Sequence, residues 1–430
     1  MKKAATQLCI ILKAILFIGF SIQIIFGLLW MCLNFIEIQE FAPVNTGIYP
    51  LLAHGLAQLP QVIYLLQLAA AFGASWHTLT TFRPANPLWR TWGTLTLWTF
   101  PMAMQCHLAL LPNSFVSSLT LLEFSLCGQT LKNCQDPSLG TLAKAACCWL
   151  GLALLQPEYA WLGVLPIAVT VLVLLKTLRK QLRQLAYCCL LLAAFGGMVG
   201  GLNSLIPTEE NGYQRTFWFS MVSRTAWPTL WVDSDQWSEE LLSVAGDVIW
   251  ETSFNPDNME RILQPTIEDV VGKERAQSYY RELSEMAWRL HKTVILKQIV
   301  WDMIIYMAPE GLLQWQLTGH GYDSASGRNY EIMLMRHPSL TKYYVTYSCW
   351  WFGIFMGTAA LLVLLRLVAG EKLCNRRTVF FGGMAVVWML VTAMYYTLRG
   401  AGIADYKFTV TATELWICFA LFSMRERAVE

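Results

Sequence analysis

The chain has 430 residues, 55% of them hydrophobic and 14% charged, whereas a soluble domain carries about 25% charged residues. Its 31 Lys and Arg nearly balance 29 Asp and Glu, which excludes a basic nucleic-acid binder and an acidic disordered chain. With 19 Trp and 16 Tyr, residue types that gather at membrane–water interfaces, the composition predicts an all-α polytopic membrane protein.

Apolar runs of about 17–25 residues read as membrane helices. Ten follow one another, near 8–33, 58–80, 90–111, 113–131, 139–155, 159–178, 184–206, 344–368, 378–398 and 407–424. Pro112 and Pro157 break longer apolar stretches into helix, turn and helix, which raises the count from eight to ten. The first run is too long for a signal-peptide core and no small-residue cleavage site follows it, so it reads as an anchor. The expected organisation is a membrane region over 1–206, an external mainly helical domain over 207–343 between spans seven and eight, and a second membrane region over 344–430.

Lys and Arg set the expected orientation. With the N-terminus inside, 17 basic residues fall at cytoplasmic ends, among them Lys2, Lys13, Arg90, Lys144, Arg183, Arg366 and Arg427. The short external loops then hold two, Arg399 and Lys407. An even span count returns the C-terminus to the cytoplasm, and the expected home is the plasma membrane.

The segment 207–343 carries 19 of the 29 acidic residues and 12 basic ones. Apolar residues at helical spacing predict helices over 257–271 and 274–307, with Asn255-Pro256-Asp257 as a helix start. Trp218, Trp227, Trp231, Trp237 and Trp250 recur here and read as core or bilayer-surface contacts, with a sugar-stacking platform as the sharper alternative. The stretch 319–331, GHGYDSASGRNYE, reads as a structured loop. None of the 12 cysteines lies in this segment, which excludes a disulfide-stapled external domain. Adjacent pairs such as Cys147-Cys148 and Cys188-Cys189 lack the spacing of a zinc site.

The chain contains no GxxxxGK[ST], HExxH or GxSxG, which removes a resident nucleotide domain and two common hydrolase routes. Glu123 and Glu414 are the main charged residues inside spans, and intramembrane acids are functional suspects by default. External polar residues concentrate in three places. Residues 34–55 hold Glu37, Glu40 and His54; the large segment holds His320, Asp323, Arg328, Asn329 and Glu331; the last external loop holds Arg399, Asp405, Tyr406 and Lys407. If these loops converge, a carboxylate can serve as base toward a hydroxyl and the cations can hold a phosphate. The plainer reading has Arg399 and Lys407 meeting lipid headgroups, with Asp405 paired to one of them.

A first span, a short acidic external loop and the element Tyr49-Pro50-Leu51-Leu52 leading to a span near Gln58 resemble the opening of the GT-C glycosyltransferases. The nearest kind is the protein O-mannosyltransferase and lipid A aminoarabinose transferase branch. Residues 405–416, DYKFTVTATELW, are similar to that family's aromatic–basic element before a late span. The resemblance implies transfer of a sugar from a polyprenyl-phosphate donor to an external, cell-envelope acceptor. It makes Glu40, then Glu37, the catalytic base, and Arg399, Lys407 and Tyr406 the donor-phosphate ligands. Asp405 would position Lys407 or help hold a divalent cation, with His54, Tyr49, His320, Asp323 and Arg328 in support. The chain departs from the family in a first external loop of about 24 residues and in having no Asp before Asp136. An inactive scaffold or lipid-carrier flippase therefore stands beside the enzyme reading. A secondary transporter working through Glu123 or Glu414 stands behind both.

Overall fold

The computed structural model describes residues 2–37, 60–81, 86–108, 113–132, 139–155, 162–178, 182–205, 218, 238–252, 262–306, 332–368, 376–399 and 407–424. Almost all of these are helical, and among the described residues there is no strand. In chain order the helices are α1 (Lys2–Glu37), α2 (Pro60–Thr81), α3 (Pro87–Thr99), α4 (Pro101–His107), α5 (Asn113–Lys132), α6 (Leu139–Leu155), α7 (Val164–Leu178) and α8 (Leu182–Leu205). There follow α9 (Glu239–Thr252), α10 (Gln264–Val271), α11 (Lys273–Tyr306), α12 (Ser348–Val368), α13 (Arg376–Arg399) and α14 (Lys407–Met424).

Each of the ten expected apolar runs is mainly helical over its described residues. The run at 90–111 is two helices rather than one, because Pro101 has no N–H to donate and forces Phe100 into an extended conformation (φ −64°, ψ 143°). The expected helix start at Asn255-Pro256-Asp257 lies outside the described residues, and the helix there is described from α10 onward. Among the described residues two helices are long and apolar enough to cross a membrane, Thr6–Phe35 within α1 and Gln61–Thr81 within α2. Shorter apolar helical stretches are Leu139–Leu155, Val164–Leu175, Ala186–Gly201, Trp350–Arg366, Phe380–Met394 and Val410–Met424.

The chain divides into two units, Met1–Thr208 with Leu313–Val386 and Val410–Glu430, and Glu209–Leu312 with Val387–Thr409. In the first unit α5 is central and packs against α2, α6 and α7. Cys127 of α5, Ala145 and Trp149 of α6, Ile167 of α7 and Leu191 of α8 belong to one apolar cluster. Buried hydroxyls on α5 turn back onto its own backbone: Ser118 donates to the Ser114 carbonyl (2.7 Å), Thr120 to Val116 (2.7 Å) and Thr130 to Leu126 (3.0 Å). That local pairing lets a helix rich in Ser and Thr be buried without orphaned hydroxyls.

α1 packs on α3 and α12 through one stripe, with Leu12, Leu16, Phe20 and Ile24 buried at four-residue spacing. Its other sides expose Ile10, Phe17, Ile18, Ile22, Ile25 and Leu29. Gly27 of α1 sits against the α3–α4 break, where an added Cβ would lie 2.6 Å from the Thr99 carbonyl oxygen. That carbonyl, left over at the end of α3, accepts from the Tyr344 hydroxyl (2.6 Å), which is carried on a π-helical turn, Lys342–Tyr347. A proline break, a glycine and a buried tyrosine thus form one joint.

The second unit has a small core of its own. Leu241 of α9, Leu263 before α10, Ile267 of α10, and Ala276, Tyr280 and Leu283 of α11 pack together. The Ser238 hydroxyl accepts from the Leu241 N–H (3.3 Å), and Glu239 and Glu240 open α9, a start favoured by the helix dipole. Gly272 (φ 83°) separates α10 from α11, its N–H closing on the Glu268 carbonyl at 3.0 Å. Trp218 packs partly buried against this core, as the plainer of the two tryptophan readings expects. α11 departs from helical geometry at His291 (φ −123°, ψ 26°).

Candidate functional site

Three of the expected site residues lie on described helices, as backbone positions whose side chains are outside the described set. Glu37 is the last residue of α1, Arg399 the last of α13 and Lys407 the first of α14. Glu40, Tyr49, His54, His320, Asp323, Arg328, Asp405 and Tyr406 lie outside the described residues. Arg399 and Lys407 therefore bracket the segment 400–406. α14 has no acidic residue in its first turn. The unpaired N–H groups and positive dipole end of a helix start then add to the Lys407 charge, an arrangement suited to an anion.

The structure adds groups buried inside the first unit. Glu123 on α5 is 0% exposed, and neither carboxyl oxygen has a hydrogen-bond partner. Two thiols lie within its electrostatic reach, Cys127 one turn along α5 and Cys148 on α6, and Thr170 of α7 contacts Cys127. Glu414 on α14 is 2% exposed, its Oε2 without a partner, with Cys418 one turn further along. Neither acid is open to solvent, whereas a transporter with a standing aqueous path requires an acid that is.

Two histidines meet serines of α5. His107 Nδ1 lies 2.9 Å from Ser114 Oγ, and His77 Nδ1 lies 3.2 Å from Ser125 Oγ. Sequence reasoning passed over both, although Ser114, Ser118 and Ser125 share one face of α5 at helical spacing. Arg90 lies over the Trp76 ring at 4.6 Å, so this cation packs on an aromatic face.

In the second unit Glu268 is buried but paired. Gln264 donates to its Oε1 at 2.8 Å and the Tyr280 hydroxyl donates to the same oxygen at 3.3 Å. Burial, and then the adjoining Glu268 carboxylate, push the Tyr280 phenol well above its ordinary range, so it stays a donor. The i,i+4 spacing of Gln264 and Glu268 was the available sequence signal. At the surface Arg275 pairs with Glu240, Arg281 pairs with Glu285 (2.6 Å), and Arg281 also lies 5.6 Å from the Trp218 ring centroid.

Among the described residues no three His, Cys, Asp or Glu stand together as metal ligands, and the described cysteines are all free thiols. No protein-family model matches the chain, and neither a curated protein nor a solved structure is significantly similar to it.

Proposed function

We propose that the chain is an integral membrane protein of ten spans, with both termini cytoplasmic, that transfers a sugar from a polyprenyl-phosphate carrier to an external acceptor in the manner of GT-C glycosyltransferases. The observation that carries this reading is the placement of Arg399 at the end of α13 and Lys407 at the start of α14, a helix with no acid in its first turn. A lipid phosphate is the anion that such a helix start in an apolar chain would meet. The order of an acid-bearing first loop, a Tyr-Pro-Leu-Leu element and a late aromatic–basic element supports the family likeness.

In this reading Glu40, with Glu37 second, accepts the proton of the acceptor hydroxyl as its oxygen attacks the anomeric carbon. The bond from that carbon to the phosphate oxygen breaks, and Arg399, Lys407 and Tyr406 stabilise the charge left on the lipid phosphate. Asp405 positions Lys407.

The test is turnover of purified protein against a set of polyprenyl-phosphate sugars. Glu40→Gln abolishes transfer while expression stays intact. Retained turnover would remove Glu40 from its role. Absence of transfer by the wild-type protein, with lipid-phosphate binding that still depends on Arg399 and Lys407, would instead establish the non-catalytic scaffold or flippase reading.

A further inference from the structure

We infer that the second half of α11, from Leu290 onward, is a membrane-surface helix that seats in the headgroup–acyl boundary of the bilayer. The inference rests on the chain being membrane-embedded and is independent of any transferase activity. The first half of α11 is an ordinary core helix, with Ala276, Tyr280, Leu283 and Ala287 buried. Beyond the non-helical His291 the burial ends: among the described side chains from Leu290 to Val300 only Ile295 is buried. Leu290, Val294, Leu296 and Val300 are between 39% and 56% exposed.

These residues do not form one stripe. In the segment after the non-helical His291, Leu296 and Val300 lie on one flank of Lys297 and Val294 on the other, all away from the buried Ile295. With Ile295 turned to the protein and aliphatic side chains flanking a cation on the exposed side, the segment is amphipathic in the manner of an interfacial helix. The sequence continues in that character, with Trp301, Met303, Ile304 and Ile305 in the last turns of α11.

The charges select the kind of surface. Arg289, Lys292 and Lys297 are exposed among the apolar residues, against the single acid Asp302 up to the end of α11. The Lys292 ammonium lies 5.8 Å from the Trp288 ring centroid. Aliphatic bulk, interleaved cations and a Trp–Lys pair are the composition of a helix lying at headgroup level over anionic lipid.

The experiment uses the full chain in nanodiscs of phosphatidylcholine and phosphatidylglycerol that contain a phospholipid with a photoactivatable acyl chain, with adducts mapped by peptide mass spectrometry. Adducts are expected on 290–300 and on the exposed face of α1 around Ile18 and Ile25, with none on the stretch from Arg281 to Glu285. The pair Val294→Glu and Val300→Glu should clear 290–300 of adducts while α1 stays labelled. Arg289→Gln, Lys292→Gln and Lys297→Gln together should remove the dependence of labelling on the phosphatidylglycerol share. A labelled α1 beside an unlabelled 290–300 in the wild-type protein overturns the inference.

Discussion

Glu123 holds two carboxyl oxygens without hydrogen-bond partners inside a fully buried helix. An unsatisfied buried polar group costs about 1–3 kcal/mol, and replacing it with an apolar group of similar shape recovers that cost. Glu123→Met should therefore raise the thermal unfolding midpoint in detergent, corresponding to a gain of about 1–3 kcal/mol. A lowered midpoint would show that the carboxyl is held by a partner and is structural. Natural proteins keep such destabilising groups where function needs them. Glu268 offers the contrast, since it is buried yet bonded by Gln264 and Tyr280.

The same pairing makes a pH prediction for the second unit. The folded Tyr280 phenol titrates above its unfolded value, so below about pH 10 both states keep the proton and the contribution is complete. Above that pH the unfolded chain loses the proton first, so stability falls as pH rises. Hydrogen exchange of α10 and α11 amides should accelerate above about pH 10 in the wild-type chain, and more steeply than in Tyr280→Phe. Equal slopes in the two proteins would remove Tyr280 from this role.

At the scale of elements, most helices were legible because hydrophobic runs and prolines act locally. The runs expected at 113–131 and 139–155 correspond to α5 and α6. The miss was at Pro101, where the same steric rule applied to Pro112 and Pro157 breaks 90–111 into α3 and α4. What the sequence could not show is how that break is completed from residues far along the chain. Tyr344 supplies the donor for the Thr99 carbonyl and Gly27 allows α1 to approach, and neither contact follows from local pattern. Gly27→Ala should destabilise the first unit by about 1–3 kcal/mol, because the new Cβ meets a backbone carbonyl at 2.6 Å rather than a movable side chain. The comparison is thermal unfolding of Gly27→Ala beside Gly73→Ala, whose added Cβ would meet nothing within 4 Å. Equal midpoints for the two variants would mean that the joint yields freely.

At the scale of the whole molecule, the composition separates apolar runs from an acidic segment over 207–343, whereas the two units cut across it, with Leu313–Val386 in the first and Val387–Thr409 in the second. The candidate site was less legible for a physical reason: its described residues stand at helix ends, where no periodicity constrains them, and the others lie outside the described residues. Glu37, Arg399 and Lys407 are each the terminal residue of a helix. Order along the chain was the signal that the sequence offered, and order does not fix distance.

Orientation can be tested at this same scale, because it rests on a global asymmetry of Lys and Arg and not on any one boundary. The segment 207–343 has no native cysteine, so a cysteine introduced there reports on its side alone. Ser326→Cys should react with a membrane-impermeant maleimide in intact cells, above the background of the parent chain. A cysteine added after Glu430 should react with it only once the membrane is permeabilised. If the two reactivities are exchanged, the chain is inverted, and a transferase using an external acceptor has its catalytic loop on the wrong side. If both react in intact cells, an even number of spans separates them, and one of α12, α13 and α14 does not cross. α14 is then the first to re-examine, since its 18 residues make it the shortest of the three and fall below the roughly 20 needed to cross.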